Sequence, residues 1–239
     1  MARFFESDQL NKQLCKIKCI FISHNHTDHH NGLYGLVMRR FQAFNELNLT
    51  YEPLFIMFPR YLMLHLMSIE RICKQGFFDL VKLVPNELFT TDYSATNYSH
   101  LKSKNNQNEK RLPINQPYLA EEFDLNVRSE ITEQLKKSIN LAEIKTVRVT
   151  HIPYSYALIV TTNEKKQFKF AFSGDCRPSK FFAENGKNCD LLIHECTFDD
   201  TRLDRAISEK HSTQSEASEI AQKMNAKNTI LTHFSPRYF

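Results

Sequence analysis

Apolar positions in this chain alternate between two periods. Residues 17–22 read as a short buried strand, whereas Leu33, Leu36, Val37, Arg40 and Phe44 recur every three or four positions and predict a helix over 31–48. The continuous run Leu54 to Phe58 predicts a second strand, Pro59 the opening of a helix to about residue 74, and 78–84 a third strand. Further along, 124–141 has the pattern of an amphipathic helix. Strands follow at 144–150, 156–162 and 167–172, then short buried strands at 191–193 and 229–231, with helices near 178–184 and 213–224. Strands alternating with helices predict an α/β layered fold. Between about 90 and 116 the pattern lapses into Asn, Ser, Lys and Gln, which predicts a flexible insertion, because so little apolar surface cannot offset the entropy of ordering. No internal repeat is present.

Composition adds boundaries. At 239 residues and 41% hydrophobic content the chain suffices for one sizeable domain. Its apolar runs are broken by charge before the ~20 residues a spanning helix needs, and no signal-peptide pattern follows Met1, so an intracellular protein without a membrane segment is expected. Six scattered cysteines without a CxxC pair predict reduced thiols. The net charge of +4 is compatible with a polyanionic partner without establishing one.

The candidate chemistry is concentrated in Ser23-His24-Asn25-His26-Thr27-Asp28-His29-His30, directly after the first strand. His24 and His26 are two apart, so on leaving a strand they point to one side and can grip one ion; Asp28 and His29 can reach a second. Two such ions activate a water and clamp both oxygens of a phosphodiester undergoing displacement. Each ion needs further ligands, and His151, Asp175 and His233 each follow a predicted strand. Asp175 is suited to bridge, since each carboxylate oxygen can take one ion. The bland alternative is a His-rich surface loop, which has no need for this order of residue types or for a buried strand before it.

At this point the sequence resembles the metallo-β-lactamase superfamily, whose HxHxDH motif is matched by His24, His26, Asp28 and His29. Three further segments are similar to the tRNase Z family. Leu191 to Phe198 resembles its His-Glu-Ala-Thr motif with Cys196 in the Ala position, Lys210-His211-Ser212-Thr213 its His-Ser-Thr segment, and His233-Phe234-Ser235-Pro236-Arg237-Tyr238 its His-Phe-Ser-x-Arg-Tyr segment. With Phe172-Ser173-Gly174-Asp175 they span the chain from about Lys16 to its end. The resemblance implies a four-layer αββα sandwich and a zinc-dependent endoribonuclease that removes the 3′ trailer of precursor tRNA, leaving a 3′-hydroxyl. It implies two Zn2+, with ions such as Mn2+ fitting the same donors. His24, His26 and His151 would hold one, Asp28, His29 and His233 the other, and Asp175 would lie between. Asp28, Glu195 and His211 are the implied catalytic residues, with Glu195 orienting the imidazole of His211 as general acid, and Ser235 and Arg237 are the implied phosphate-binding residues. For Glu195 a purely structural role is the alternative, and for Arg237 a salt bridge.

Two departures from the family pattern matter. Only 23 residues separate His151 from Asp175, and two predicted strands consume them, leaving no room for the tRNA-gripping arm of short-form enzymes. The N-terminal side lacks the family's Gly-rich segment and part of a sheet. The chain therefore resembles the catalytic half of a long-form enzyme, truncated at its N-terminus, with a missing N-terminal half or a second subunit as expected partner. A nuclear or mitochondrial location would follow for a eukaryotic relative. Other readings are a thioesterase-like hydrolase of the same superfamily, or a non-catalytic fragment that binds tRNA or a partner. His30 is expected to support a ligand and His194 to orient one or sit in the core; His65 and His100 carry no functional argument.

Overall fold

A computed structural model describes residues 7–90 and 125–235, and these divide into two compact units. The expected insertion at 90–116 therefore lies outside the described residues except for Thr90. Of the described residues, the first unit comprises 7–22, 26–85 and 125–139. Its sheet joins β1 (Cys19–Phe21), β2 (Leu54–Phe58) and β3 (Val81–Pro85) in that order, all parallel. Helix α2 (Leu33–Glu46) links β1 to β2, and α3 (Leu62–Cys73) links β2 to β3. A central parallel strand is covered on both faces, which is why Leu54–Phe58 is uniformly apolar and every residue of it is buried.

Arg40 sits in the apolar stripe of α2 and is buried for a specific reason. Its guanidinium reaches the carbonyls of Ile17 (3.0 Å) and Glu52 (2.7 Å) and lies over the rings of Phe44 and Tyr51. The third strand begins later than the pattern predicts, because Gly76, at φ 73°, starts a 3-10 turn over Phe77–Asp79. Likewise Pro59 opens a turn closed by Leu62 N–H on its carbonyl (2.9 Å), and α3 proper starts at Leu62.

The expected helix before residue 141 is α4 (Leu125–Ile139). Helix α1 (Ser7–Lys16) has no counterpart in the apolar pattern. Leu14 is buried in it, and Asn11 ties it to α2, donating to Glu46 (2.6 Å) and accepting from Arg39 (2.5 Å).

Of the described residues, the second unit holds Ser23–Asn25, 86–90 and 140–235. Its five strands run in the order β4 (Leu141–Arg148), β5 (Tyr156–Thr162), β6 (Lys169–Phe172), β7 (Leu191–Glu195) and β8 (Thr229–Thr232). The pairs β4/β5 and β5/β6 are antiparallel, and β6/β7 and β7/β8 parallel. Thus β4, β6, β7 and β8 all point the same way, and the residues that follow them emerge along one edge.

One face of this sheet packs Val147, Ile159, Ala171 and Leu192 with Phe182 of α5 (Lys180–Asn185) and with Ile220 and Met224 of α7 (Gln214–Met224). Helix α6 (Leu203–Glu209) completes the described helices. Strand β4 ends two residues earlier than expected. Val149 N–H bonds the carbonyl of Ser155 (3.0 Å) and Tyr154 takes φ 64°, so His151 belongs to the hairpin turn rather than to the strand.

Candidate metal centre

The shared direction of β4, β6, β7 and β8 places His151, Asp175, Glu195 and His233 at carboxyl-terminal strand ends, where ligand sites form in α/β sheets. Ser23–Asn25 belongs to this same unit, and Ser23 accepts the backbone N–H of Tyr156 through its carbonyl (3.0 Å), which brings in His24. Gly174 makes the approach possible. It holds φ +59°, and a Cβ there would stand 2.8 Å from Ser23 Cβ and 3.0 Å from the carbonyl oxygen of Tyr156. Asp175 follows it, 4% exposed, with His24 at 0% and His151 at 4%.

Three imidazoles converge on one carboxylate oxygen. Asp175 Oδ2 lies 3.7 Å from His24 Nε2, 4.0 Å from His151 Nε2 and 3.3 Å from His233 Nε2. These separations exceed a normal N–H···O bond. They suit atoms sharing an ion, because two ligands each ~2.0–2.1 Å from a tetrahedral zinc are about 3.3 Å apart. The far nitrogens are held from behind. Nδ1 of His24 meets Ser23 Oγ (2.9 Å), Nδ1 of His151 meets the carbonyl of Lys210 (3.0 Å), and Nδ1 of His233 meets Thr197 Oγ1 (2.7 Å).

A carbonyl only accepts, so His151 carries its proton on Nδ1 and turns a lone pair toward Asp175. Thr197 gives its hydroxyl proton to Glu195 Oε2 (2.8 Å), so it accepts from His233, whose Nε2 is likewise left as a donor of electrons. This donor set, with its orienting hydrogen bonds, fits a zinc ion.

Glu195, 1% exposed, is the hub of a second cluster. Its carboxylate accepts from Cys176 N–H (2.8 Å), Thr197 N–H (3.1 Å), Thr197 Oγ1 (2.8 Å), Ser212 N–H (3.0 Å) and His211 Nδ1 (2.8 Å). Burial works against charging His211. The hydrogen bond and charge of Glu195, with the charge of Asp175, outweigh it and hold the imidazole above its ordinary value of 6.5. The His211 ring lies 4.6 Å from that of His151 and stacks 5.4 Å from that of His233. Asp175, His211 and His233 each offer a ligand-type atom within 4.8 Å of one another.

The remaining candidates are distributed as follows. His26, Asp28 and His29 fall in the first unit, where the 3-10 turn Thr27–His29 leaves His26 and Asp28 exposed and sets Asp28 Oδ2 3.7 Å from His29 Nε2. His30 is buried there with its ring 4.6 Å from that of His65. His194 is a core histidine, with Nδ1 2.7 Å from the carbonyl of Glu195, and burial lowers its pKa. Ser235 is described, its N–H on the carbonyl of Thr197 (3.3 Å), whereas Arg237 lies outside the described residues. Thr197 is the residue that motif reading passed over. It stands in the segment around Glu195, and its single hydroxyl joins the candidate ligand His233 to Glu195.

The model of the beta-lactamase superfamily domain matches residues 73–234. The chain belongs to that superfamily. It is 33% identical, over its whole length, to the zinc phosphodiesterase ELAC protein 2 homolog of Caenorhabditis elegans, covering 27% of that protein. It is 35% identical, over 97% of its length, to ribonuclease Z 1 of Schizosaccharomyces pombe, covering 24%. The chain thus spans about a quarter of the length of these relatives. A long-form RNase Z from yeast matches 99% of the chain with a TM-score of 0.80 and 27% identity, the chain covering 31% of that structure. Human tRNase Z, short form, shares the fold at a TM-score of 0.62 and 23% identity, over 96% of this chain and 78% of that one. The α/β metallo-β-lactamase fold expected from the motifs is therefore the fold of this chain.

Proposed function

We propose that this chain carries the catalytic centre of a zinc-dependent endoribonuclease that removes the 3′ trailer from precursor tRNA and leaves a 3′-hydroxyl on the tRNA. The observation that carries the reading is the Glu195–His211 pair standing beside the imidazole and carboxylate cluster. A thiolate departs from a thioester without help, whereas a ribose 3′-oxygen departs as an alkoxide and needs a proton. His211 is bonded to Glu195 through Nδ1, and the hydrogen bond and charge of Glu195 raise its pKa against the opposing effect of burial, so its Nε2 is the group that would give a proton to that oxygen. A hydrolase of activated small molecules has no use for such a donor.

His24, His151 and Asp175 would hold one zinc, and His233 and Asp175 the second. The motif resemblance assigns His26 to the first, and Asp28 and His29 to the second. Zinc bound there would supply positive charge to the reacting phosphate and to an attacking water. Ser23, Lys210 and Thr197 hold the imidazoles in the orientation that presents Nε2, and Thr197 also fixes the carboxylate that orients His211. Ser235 would offer a hydroxyl to the phosphate, and Arg237, by motif, a guanidinium. Names of the relatives support the reading, since they are called zinc phosphodiesterase and ribonuclease Z.

The test is incubation of zinc-loaded protein with 5′-labelled precursor tRNA carrying a 3′ extension, with both new ends mapped. One cut at the trailer junction with a 3′-hydroxyl upstream supports the proposal. Intact RNA alongside turnover of acyl-glutathione would replace it with a thioesterase.

A further inference from the structure

Arg177 has no part in the metal cluster or in the Glu195 hub, yet it ties together the segments that carry both. It follows Asp175 by two positions. Its backbone N–H bonds the carbonyl of Thr150 (2.8 Å), the residue before His151. Its guanidinium donates from Nη1 to the carbonyl oxygen of His211 itself (2.5 Å) and forms a two-pronged pair with the carboxylate of Glu216, one prong being Nη1 to Oε2 at 2.8 Å and the other Nη2 to Oε1. Side-chain exposures of 20% and 19% keep this pair largely out of water.

Glu216 is anchored in turn. It is the third residue of α7, closing a capping box in which Thr213 N–H donates to Oε2 (3.0 Å) and the Thr213 hydroxyl accepts Glu216 N–H. The peptide on the other side of His211 is also fixed, since the Lys210 carbonyl accepts from His151 Nδ1 (3.0 Å) and His211 N–H bonds the carbonyl of Ala206 (2.9 Å).

We infer that Arg177 is a positioning residue for His211: braced on Glu216, it grips the His211 carbonyl and so aims the imidazole that protonates the leaving oxygen. The inference rests on the phosphodiesterase reading and deepens it. A planar fork that reaches a carboxylate and a carbonyl at once is a geometry lysine cannot reproduce, although lysine keeps the charge. Loosening that grip by a fraction of an ångström costs rate only where proton delivery matters.

The test compares wild type with Arg177→Lys, a mild change that keeps Glu216 opposite a cation, and with the double variant Arg177→Met, Glu216→Gln, which leaves no buried charge unpaired. Zinc content and KM should stay at wild-type values. The kcat for precursor tRNA should fall about 10–100-fold, while hydrolysis of bis(p-nitrophenyl) phosphate, whose leaving group needs no proton, should change by less than about twofold. Equal losses on both substrates, loss of zinc, or no loss on tRNA would overturn the assignment.

A readout independent of turnover accompanies the kinetics. The ring Nδ1 proton of His211, held by Glu195, should exchange with water at least about tenfold faster in Arg177→Lys, as a loosened hydrogen bond opens more often. An unchanged exchange rate overturns the positioning role even if the protein cleaves nothing. Faster exchange in a protein inactive on both substrates would uphold the role and refute the phosphodiesterase reading instead.

Discussion

His151 turns its Nδ1 to the carbonyl oxygen of Lys210, 3.0 Å away, so a candidate zinc ligand is oriented by the peptide that leads into His211. Lys210 can present that carbonyl because its backbone is left-handed, φ +61°, at the end of α6. Glycine adopts this conformation freely and a β-branched residue does not. Lys210→Gly should retain wild-type stability and zinc content, whereas Lys210→Val should cost about 1–2 kcal/mol in chemical denaturation and weaken zinc binding. Equal behaviour of the two variants would show that the turn carries no such demand.

Gly174 makes a sharper case, since its obstruction is backbone as well as side chain. A methyl group there meets Ser23 Cβ and the Tyr156 carbonyl in addition to the strain of φ +59°. Gly174→Ala should lose about 1–3 kcal/mol of stability and should release zinc, because Asp175 and His24 are the groups displaced. Full zinc content in a destabilised Gly174→Ala protein would uncouple the turn from the site.

Removing the proposed proton donor separates catalysis from scaffolding. His211→Ala should keep zinc and substrate binding and lower the cleavage rate by roughly 10²–10⁴. A substrate with a 3′-bridging sulfur at the scissile linkage, which departs with little protonation, should recover most of that loss. The same defect on both linkages would make His211 a group that positions the phosphate.

Much of this arrangement was legible in the chain because it depends on local order. The strand before His24, the spacing of His24 and His26, and the strand ends preceding Asp175 and His233 are all readable from runs of apolar residues. Glu195 and His211 were reachable only through resemblance, since nothing in their own neighbourhoods says that sixteen positions close into one 2.8 Å contact. Thr197 stands in the matched motif but its role was illegible, and so was that of Arg177, for a related reason. Each works through a hydrogen bond to a segment far along the chain, and a lone threonine or arginine carries no periodic signal. Helix α1 was harder to read because it is short and mostly polar, with Leu10 and Leu14 its only leucines, and Asn11 adds hydrogen bonds to Glu46 and Arg39.

In the first unit, Glu70 links stability to pH. Burial pushes its carboxyl upward, but hydrogen bonds from the Tyr34 hydroxyl (2.7 Å) and the backbone N–H groups of Gly76 (2.8 Å) and Phe77 (3.3 Å) prevail and hold it below its ordinary value of 4.5. A carboxylate with a depressed folded-state pKa stabilises fully above its unfolded value, and that contribution fades as pH falls through the folded value. Glu70→Gln should therefore be less stable than wild type near neutrality, with the gap closing below about pH 4.5. A gap constant from pH 7 to pH 3 would remove Glu70 as its source.

The central claim is that Asp175 and the imidazoles around it hold the metal on which phosphodiester hydrolysis depends. Its most direct test is a zinc titration of chelator-stripped protein, reading bound metal and bis(p-nitrophenyl) phosphate hydrolysis in the same samples, for wild type and Asp175→Ala. Wild type should take up close to two zinc ions with activity rising in step, and Asp175→Ala should lose metal and activity together. A well-folded wild-type protein that binds no zinc, or that hydrolyses the ester equally well after stripping, would contradict the account.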